Sequence, residues 1–289
     1  MDMKPRLVCW YSHGAASLMA TKLAIKNQPE LYPDHEVIVA CIHIEDEYHE
    51  PERMGSVEAF LDHPVTIIKD TKFNASVDVV IEKTRYMAGV YGARCTKELK
   101  KAVRLEWQRD DDVHVFGFDK NESHRTDQVL DTEPTLEIYT PLIDANLSKS
   151  DCFLIMTEAG LSLPYMYQKG YHNNNCVGCL KAGGAGYWNK IRVDFPEVFE
   201  KRSRQEYLLN IALVSMSRDK FMTKWPEQFK LMCDEWEDRY KTRLVKSKKT
   251  GLSKPYHTSM VPLRYLPKDA GSHKDLDIGD CGIICEIKK

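Results

Sequence analysis

Hydrophobic and polar positions along the first half of the chain fall into two alternating kinds of block. Arg6-Leu7-Val8-Cys9-Trp10-Tyr11 is a short, nearly uninterrupted apolar run of β-prone residues. It breaks at Ser12-His13-Gly14 and gives way to residues 15–25, rich in helix formers. That order predicts strand, tight turn and helix. A second strand is expected within residues 35–44, where Val37-Ile38-Val39-Ala40-Cys41-Ile42 is continuously apolar. A helix over 51–62 and a third strand at Val65-Thr66-Ile67-Ile68 follow, then helices over 77–86 and 97–108, and a fourth strand over 113–118. Continuously apolar strands suit a parallel sheet covered on both faces. The alternation predicts an α/β fold, a doubly wound and mostly parallel sheet, with a nucleotide-binding core over residues 1–145.

The pattern changes after Pro141. Residues 148–159 read as a helix, with Ser148 or Ser150 as N-cap and Gly160 as its stop. A polar, glycine-rich stretch, 170–186, is followed by expected helices over 198–216 and 226–240. Residues 241–254 are basic and read as a surface loop or linker, and little periodicity is visible from 255 onward. The expected organisation is therefore the core, a helical extension over 146–240 carrying a Cys-x-x-Cys loop, and a linker with a cysteine-containing tail over 241–289.

Composition narrows this picture. The 289 residues are enough for one large domain with an appendage or for two domains, and 43% hydrophobic residues supply a core. Lys and Arg number 41 against 43 Asp and Glu, a net charge of -2. That balance argues against a general nucleic-acid coat or a membrane-surface binder. No apolar run approaches the ~18 residues of a membrane span, and the first residues lack the apolar stretch of a signal peptide, so no membrane partner and a cytoplasmic location are expected. The nine cysteines are odd in number and read as buried thiols plus a metal or redox set rather than a disulfide framework.

Ser12-His13-Gly14-Ala15-Ala16-Ser17 is the first candidate for chemistry. Small residues let the backbone approach an anion, the helix start offers N–H groups and partial positive charge, and two serines add donors. The motif is neither a Walker A loop nor a G-x-G-x-x-G fingerprint, and an ordinary turn capped by Ser12 is the alternative.

These six residues resemble the SGGxxS pyrophosphate loop of the adenine-nucleotide α-hydrolase superfamily, with His13 in place of the first glycine. The chain more specifically resembles the phosphoadenosine phosphosulfate (PAPS) reductase-like family, including versions common in phage genomes. The residues that carry this are 82–86 (Glu-Lys-Thr-Arg-Tyr), 92–100 (Gly-Ala-Arg-Cys-Thr-Lys-Glu-Leu-Lys), 173–179 (Asn-Asn-Asn-Cys-Val-Gly-Cys) and 187–192 (Tyr-Trp-Asn-Lys-Ile-Arg), together with 117–125, which ends in Glu-Ser-x-Arg. The resemblance implies a pyrophosphate-loop nucleotide site for PAPS, adenosine phosphosulfate or ATP, the last with Mg2+. For a phage-encoded member it implies the host cytoplasm.

Cys176-Val177-Gly178-Cys179 can present two thiolates to one ion, and Cys95, which opens a helix, is the best third candidate. The resemblance implies a 4Fe-4S cluster on Cys95, Cys176 and Cys179, although the usual adjacent cysteine pair is reduced here to Cys95 alone. The alternative is a zinc knuckle of Cys176, Cys179, Cys281 and Cys285. Cys9, Cys41, Cys152 and Cys233 read as packing thiols. Asp280-Cys281-Gly282-Ile283 is similar to the carboxy-terminal nucleophile segment of sulfonucleotide reductases, with Asp280 replacing Glu and Ile284 standing in place of His. That similarity implies that Cys281 is the nucleophile, with Cys285 as a candidate resolving thiol; a metal-ligand pair or an ordinary pair of surface thiols is the alternative.

Arg85, Arg94, Lys97, Lys100, Lys101 and Arg104 cluster within twenty residues, several at helical i, i+3, i+4 and i+7 spacing. Such a face suits phosphate or sulfate, and a solvated surface is the alternative. The resemblance favours Arg94 and Lys97 as ligand contacts. Arg125 either holds a phosphate or makes a surface salt bridge, His13 either donates to a phosphate or packs, and Asp46 and Glu47 stand where a ribose or Mg2+ would. Trp188 is read as core.

Three functions are open on the sequence. The first is reduction of an adenylated sulfate through Cys281, with a thiol reductant as partner. The second is an ATP pyrophosphatase that adenylates an acceptor, RNA or DNA among the candidates, for sulfur transfer from a donor. The third is a non-catalytic nucleotide- or zinc-binding protein. No oligomeric state is read from the sequence.

Overall fold

The computed structural model describes residues 4–50, 52–89, 92–236, 243–246, 253–256 and 260–279. They form two compact units, one of residues 4–84 and Gly89–Cys176, the other of Arg85–Ala88 and Val177–Gly279.

The first unit is an α/β layer structure. Its strands are β1 (Arg6–Trp10), β2 (Glu36–His43), β3 (Val65–Lys69), β4 (Asp112–Val115) and β5 (Glu137–Tyr139), in the order β3-β2-β1-β4-β5. Every pairing is parallel. Parallel strands need crossover connections, supplied by α1 (Ala15–Leu31), α2 (Arg53–Leu61), α3 (Val77–Thr84), α4 (Thr96–Trp107 as one continuous helix) and α5 (Ser123–Thr132). Three shorter helices follow: α6 (Pro141–Asp144), α7 (Lys149–Glu158) and α8 (Tyr165–Gln168).

Side chains alternate across the sheet, and both faces are covered. Leu7, Cys9, Val39, Cys41, Val113 and Val115 pack with Leu18, Val57, Leu61, Cys152 and Met156 on one face. Val8, Trp10, Ala40 and Ile42 pack with Val103, Phe116, Phe118 and Val129 on the other. Each Val, Leu, Ile, Phe or Met among them contributes roughly 1.5–3 kcal/mol of burial, which explains the unbroken apolar strands of the sequence. Arg6 at the start of β1 donates to both carboxylate oxygens of Asp112 at the start of β4, at 2.7 and 2.6 Å, and so fixes their register.

Several elements differ from expectation. The three-residue β5 carries too little pattern to be recognised; its burial comes from pairing with β4. The compact unit continues past residue 145, because Cys152 and Met156 of α7 complete the core beneath α1. Ser148 caps α7 and forms a capping box with Asp151, and Gly160, at φ 73°, ends it as expected.

The second unit contains α9 (Ala185–Asp194), α10 (Pro196–Leu209), α11 (Arg218–Lys224) and α12 (Pro226–Trp236). The helix expected over 198–216 stops at Asn210, which takes the left-handed conformation at φ 57°. Val214–Ser215 then pairs antiparallel with Met260–Val261, and Arg243–Lys246, within the segment 241–254 expected to be a loop, pairs antiparallel with Ser253–Tyr256 at its end. Buried Trp188 donates to the Ala182 carbonyl at 2.8 Å, so it is a core residue.

Glu206 holds this unit together from inside. It is fully buried and accepts the backbone N–H groups of Leu213 and Leu263, each at 2.6 Å. Burial pushes its carboxyl up to about 8, against the lowering effect of those two N–H groups. A carboxyl raised on folding stabilises below its unfolded value of about 4.3, and that contribution is lost as pH rises toward 8. The urea midpoint is therefore expected to fall between about pH 5 and pH 8, with Glu206→Gln flattening the slope. An unchanged slope in the variant would assign it to other groups.

Candidate functional site

The carboxyl end of β1 lies where the strand order reverses. β2 and β3 extend to one side and β4 and β5 to the other, which places a crevice at the ends of β1 and β4. The Ser12–Ser17 loop occupies this point. α1 starts at Ala15 with Gly14 as its N-cap, and no side chain caps it. The N–H groups of the first helical residues have no carbonyl behind them, so a 17-residue helix presents its positive end here.

The loop is curled around one hydroxyl. Ser17 Oγ accepts from the Ser12 N–H and from Ser12 Oγ, both at 3.1 Å, and donates to the Gly14 carbonyl at 3.0 Å. Ser17→Ala removes all three bonds. Through the loosened loop, pyrophosphate affinity is expected to fall about tenfold, equivalent to about 1.4 kcal/mol, measured by calorimetry. Gly117, just beyond β4, closes the crevice, since a β-carbon there would stand 2.7 Å from the Ser17 N and Cα.

His13, where the resembling motif has glycine, is left-handed at φ 59°. The conformation costs a non-glycine residue about 1 kcal/mol or more, and two contacts hold it. Asn174 Nδ2 donates to the His13 carbonyl at 3.1 Å, and His13 Nε2 lies 3.1 Å from Cys41 Sγ. Burial holds the imidazole below its ordinary range; Glu47 opposes this, and His49, Lys100 and Arg53 add to the lowering. The neutral form of the His13 ring is thus favoured. Cys41, expected as a packing thiol, is indeed fully buried, and burial raises its thiol, yet it also anchors the loop.

Behind the loop is a buried ion pair that the sequence did not suggest. Lys100 Nζ donates to Glu47 Oε1 at 3.0 Å, and both residues are buried. The expected cationic face of α4 is broken up because Thr96–Lys101 forms a π-helical turn. Its wider winding displaces the i, i+3, i+4 register. Lys100 consequently turns to Glu47, while Lys101 and Arg104 pair with Glu133 at 3.1 and 2.5 Å. Glu47 is accordingly an ion-pair partner. Asp46 accepts the Val77 N–H at 2.7 Å, at the start of α3.

The remaining candidates are placed as follows. Arg94 pairs with Glu98 at 2.8 Å, and Lys97 is exposed. Arg125 is buried, donates to Glu122 at 2.5 Å and lies over the Phe118 ring at 4.4 Å. The pair is thus half-buried, with Arg125 inside and Glu122 partly exposed. The asparagine run before Cys176 is tied to the crevice. Asp119 Oδ2 accepts the Lys149 N–H at 2.9 Å, Lys149 Nζ donates to Asn173 Oδ1, and Asn174 holds His13. Of these, only the asparagine run itself carried a signal in the sequence.

Cys95, Cys176 and Cys179 are buried, and no described cysteine is in a disulfide. Cys95 stands at the start of the π-helical turn. The Cys179 N–H donates to Tyr187 Oη at 2.8 Å, and Gly178, at φ 68°, packs so closely on Val198 that a β-carbon would stand 2.6 Å from Val198 Cγ1. Among the described residues no three His, Cys, Asp or Glu side chains are grouped to hold a metal ion. Cys281 and Cys285 lie outside the described residues. Among the described residues no helix is long and apolar enough to cross a membrane. Family models, curated proteins and solved structures contain no match to this chain, so the reading of the crevice rests on its own residues.

Proposed function

We propose that the chain is a PAPS reductase-like enzyme that binds an adenine nucleotide by its phosphates at the Ser12–Ser17 loop and carries out sulfur chemistry on it. The observation that carries the reading is the uncapped helix start at the strand-order reversal, with the loop wound on Ser17 and Gly117 at its wall. Arg94, Lys97 and Arg125 are the cations proposed to meet phosphate or sulfate oxygens, Arg125 by leaving Glu122. In the leading reaction the Cys281 thiolate attacks the sulfur of an adenylated sulfate. An S–S bond forms as the S–O bond to phosphate breaks, and the adenosine phosphate leaves. A second thiol, Cys285 or an external reductant, then attacks the Cys281 sulfur and releases sulfite, leaving a disulfide. Cys95, Cys176 and Cys179 are the proposed thiolate set for a 4Fe-4S cluster, with zinc on Cys176, Cys179, Cys281 and Cys285 as the alternative, and no step of this scheme passes through the metal.

The intact pair Ser12 and Ser17 favours a second reading, cleavage of ATP to pyrophosphate with Mg2+ to adenylate an RNA, DNA or small-molecule acceptor for sulfur transfer. Two assays separate the readings. Sulfite release from PAPS or adenosine phosphosulfate with a dithiol, abolished by Cys281→Ser, supports the first. Pyrophosphate release from ATP only in the presence of an acceptor supports the second. Anaerobic analysis of iron, labile sulfide and zinc identifies the metal. Inertness in both reactions, with nucleotide still bound, leaves a binding protein.

A further inference from the structure

Beside the loop two tyrosines lie face to face. The rings of Tyr48 and Tyr165 are 3.9 Å apart at 14°. They are held in place from both sequence neighbourhoods. Glu50 Oε1 accepts the Tyr165 N–H at 2.8 Å, and Arg53 donates to the Ser162 carbonyl at 2.8 Å. The Lys169 ammonium stands over the Tyr165 ring at 5.4 Å. Stacking uses one face of each ring, and Tyr48 remains 40% exposed.

Two links bring this stack to the nucleotide loop. Tyr48 directly precedes His49, whose ring is 5.8 Å from that of His13. Tyr165 shares α8 with Tyr167, whose hydroxyl lies 3.6 Å from the position a β-carbon on Gly14 would take. A pair of packed, partly exposed aromatic rings has no role in holding the sheet, since neither belongs to its two core clusters. An exposed aromatic face is a platform for a flat heterocycle, because every base has a π-face to lay on it. A nucleotide whose phosphates sit on the loop extends its base away from it by one ribose, and the Tyr167 hydroxyl places the helix that carries Tyr165 next to the loop.

We infer that the Tyr48–Tyr165 stack is the subsite for the adenine ring, with Tyr48 in face contact with the base and Tyr165 backing it; this rests on the loop being the phosphate site. The test compares ATP with inorganic pyrophosphate, which has no base, by calorimetry with Mg2+ on the full chain and on Tyr48→Ala and Tyr48→Phe. Tyr48→Ala is expected to weaken ATP about tenfold, in the range for loss of one stacked base, with pyrophosphate unchanged. Tyr48→Phe keeps the ring and restores ATP binding. Unchanged ATP affinity in Tyr48→Ala overturns the subsite, as does an equal loss of pyrophosphate, which marks a structural role. A loss confined to a single-stranded oligonucleotide, with ATP unaffected, gives the ring to an acceptor base and also overturns it. Failure of pyrophosphate and ATP to bind the parent protein overturns the loop reading itself.

Discussion

Gly117→Ala is expected to cost about 1–3 kcal/mol of stability, the range for overpacking, and to depress turnover far more. The added methyl would stand 2.7 Å from Ser17 N and Cα and 2.9 Å from the Ala16 carbonyl carbon. All of these are backbone atoms of the α1 start, so no rotamer change relieves the contact. Either α1 moves away from β4 or the segment after β4 moves outward, and in both cases the N–H groups of the loop are displaced. A shift near 1 Å in groups that position a substrate costs on the order of 100-fold in rate. The checks are the urea midpoint, pyrophosphate affinity, and rate in whichever of the two assays proves active. Wild-type affinity in a folded Gly117→Ala protein would mean that the crevice between β1 and β4 is not the phosphate site.

Glu47→Leu is expected to lose about 3–5 kcal/mol, because it takes the carboxylate away from a buried ion pair with the Lys100 ammonium. Both side chains are nearly shut off from water, 7% exposed for Lys100 and 5% for Glu47. Lys100→Met should cost a similar amount by stranding the carboxylate. The double variant, Glu47→Leu with Lys100→Met, removes both charges and should recover much of the loss, since a buried pair is often no more stabilising than apolar residues of like volume. Denaturant melts of the two single variants and the double variant measure the coupling. Additive losses would show that the two charges do not depend on each other. The same pair bears on the loop, since Glu47 raises and Lys100 lowers the His13 imidazole.

The β1–loop–α1 unit was legible because its signals are local. An apolar run, a break at small polar residues and a stretch of helix formers occupy consecutive positions, and the structure places the strand, the Gly14 cap and the helix there. The first strands of the sheet were legible for the same reason. β5 was not, because three residues carry no period and its position depends on β4. The helix over 198–216 was extended too far because propensity continued past Asn210, where a left-handed residue ends it and Glu206 takes up the Leu213 N–H.

What the sequence by itself determined is the class of fold and the character of the loop, since apolar continuity requires a doubly covered parallel sheet and small residues at a helix start leave N–H groups open. Only the tertiary structure decided which residues surround that loop. Asn174 reaches the His13 carbonyl across 161 positions, and Lys100 reaches Glu47 across 53. No spacing rule relates positions so far apart; the strand order does, by returning the chain to β4 beside β1. The π-helical turn then redirected the lysines of α4, because one extra residue per turn moves a side chain from one face to another and the local sequence still reads as an ordinary helix.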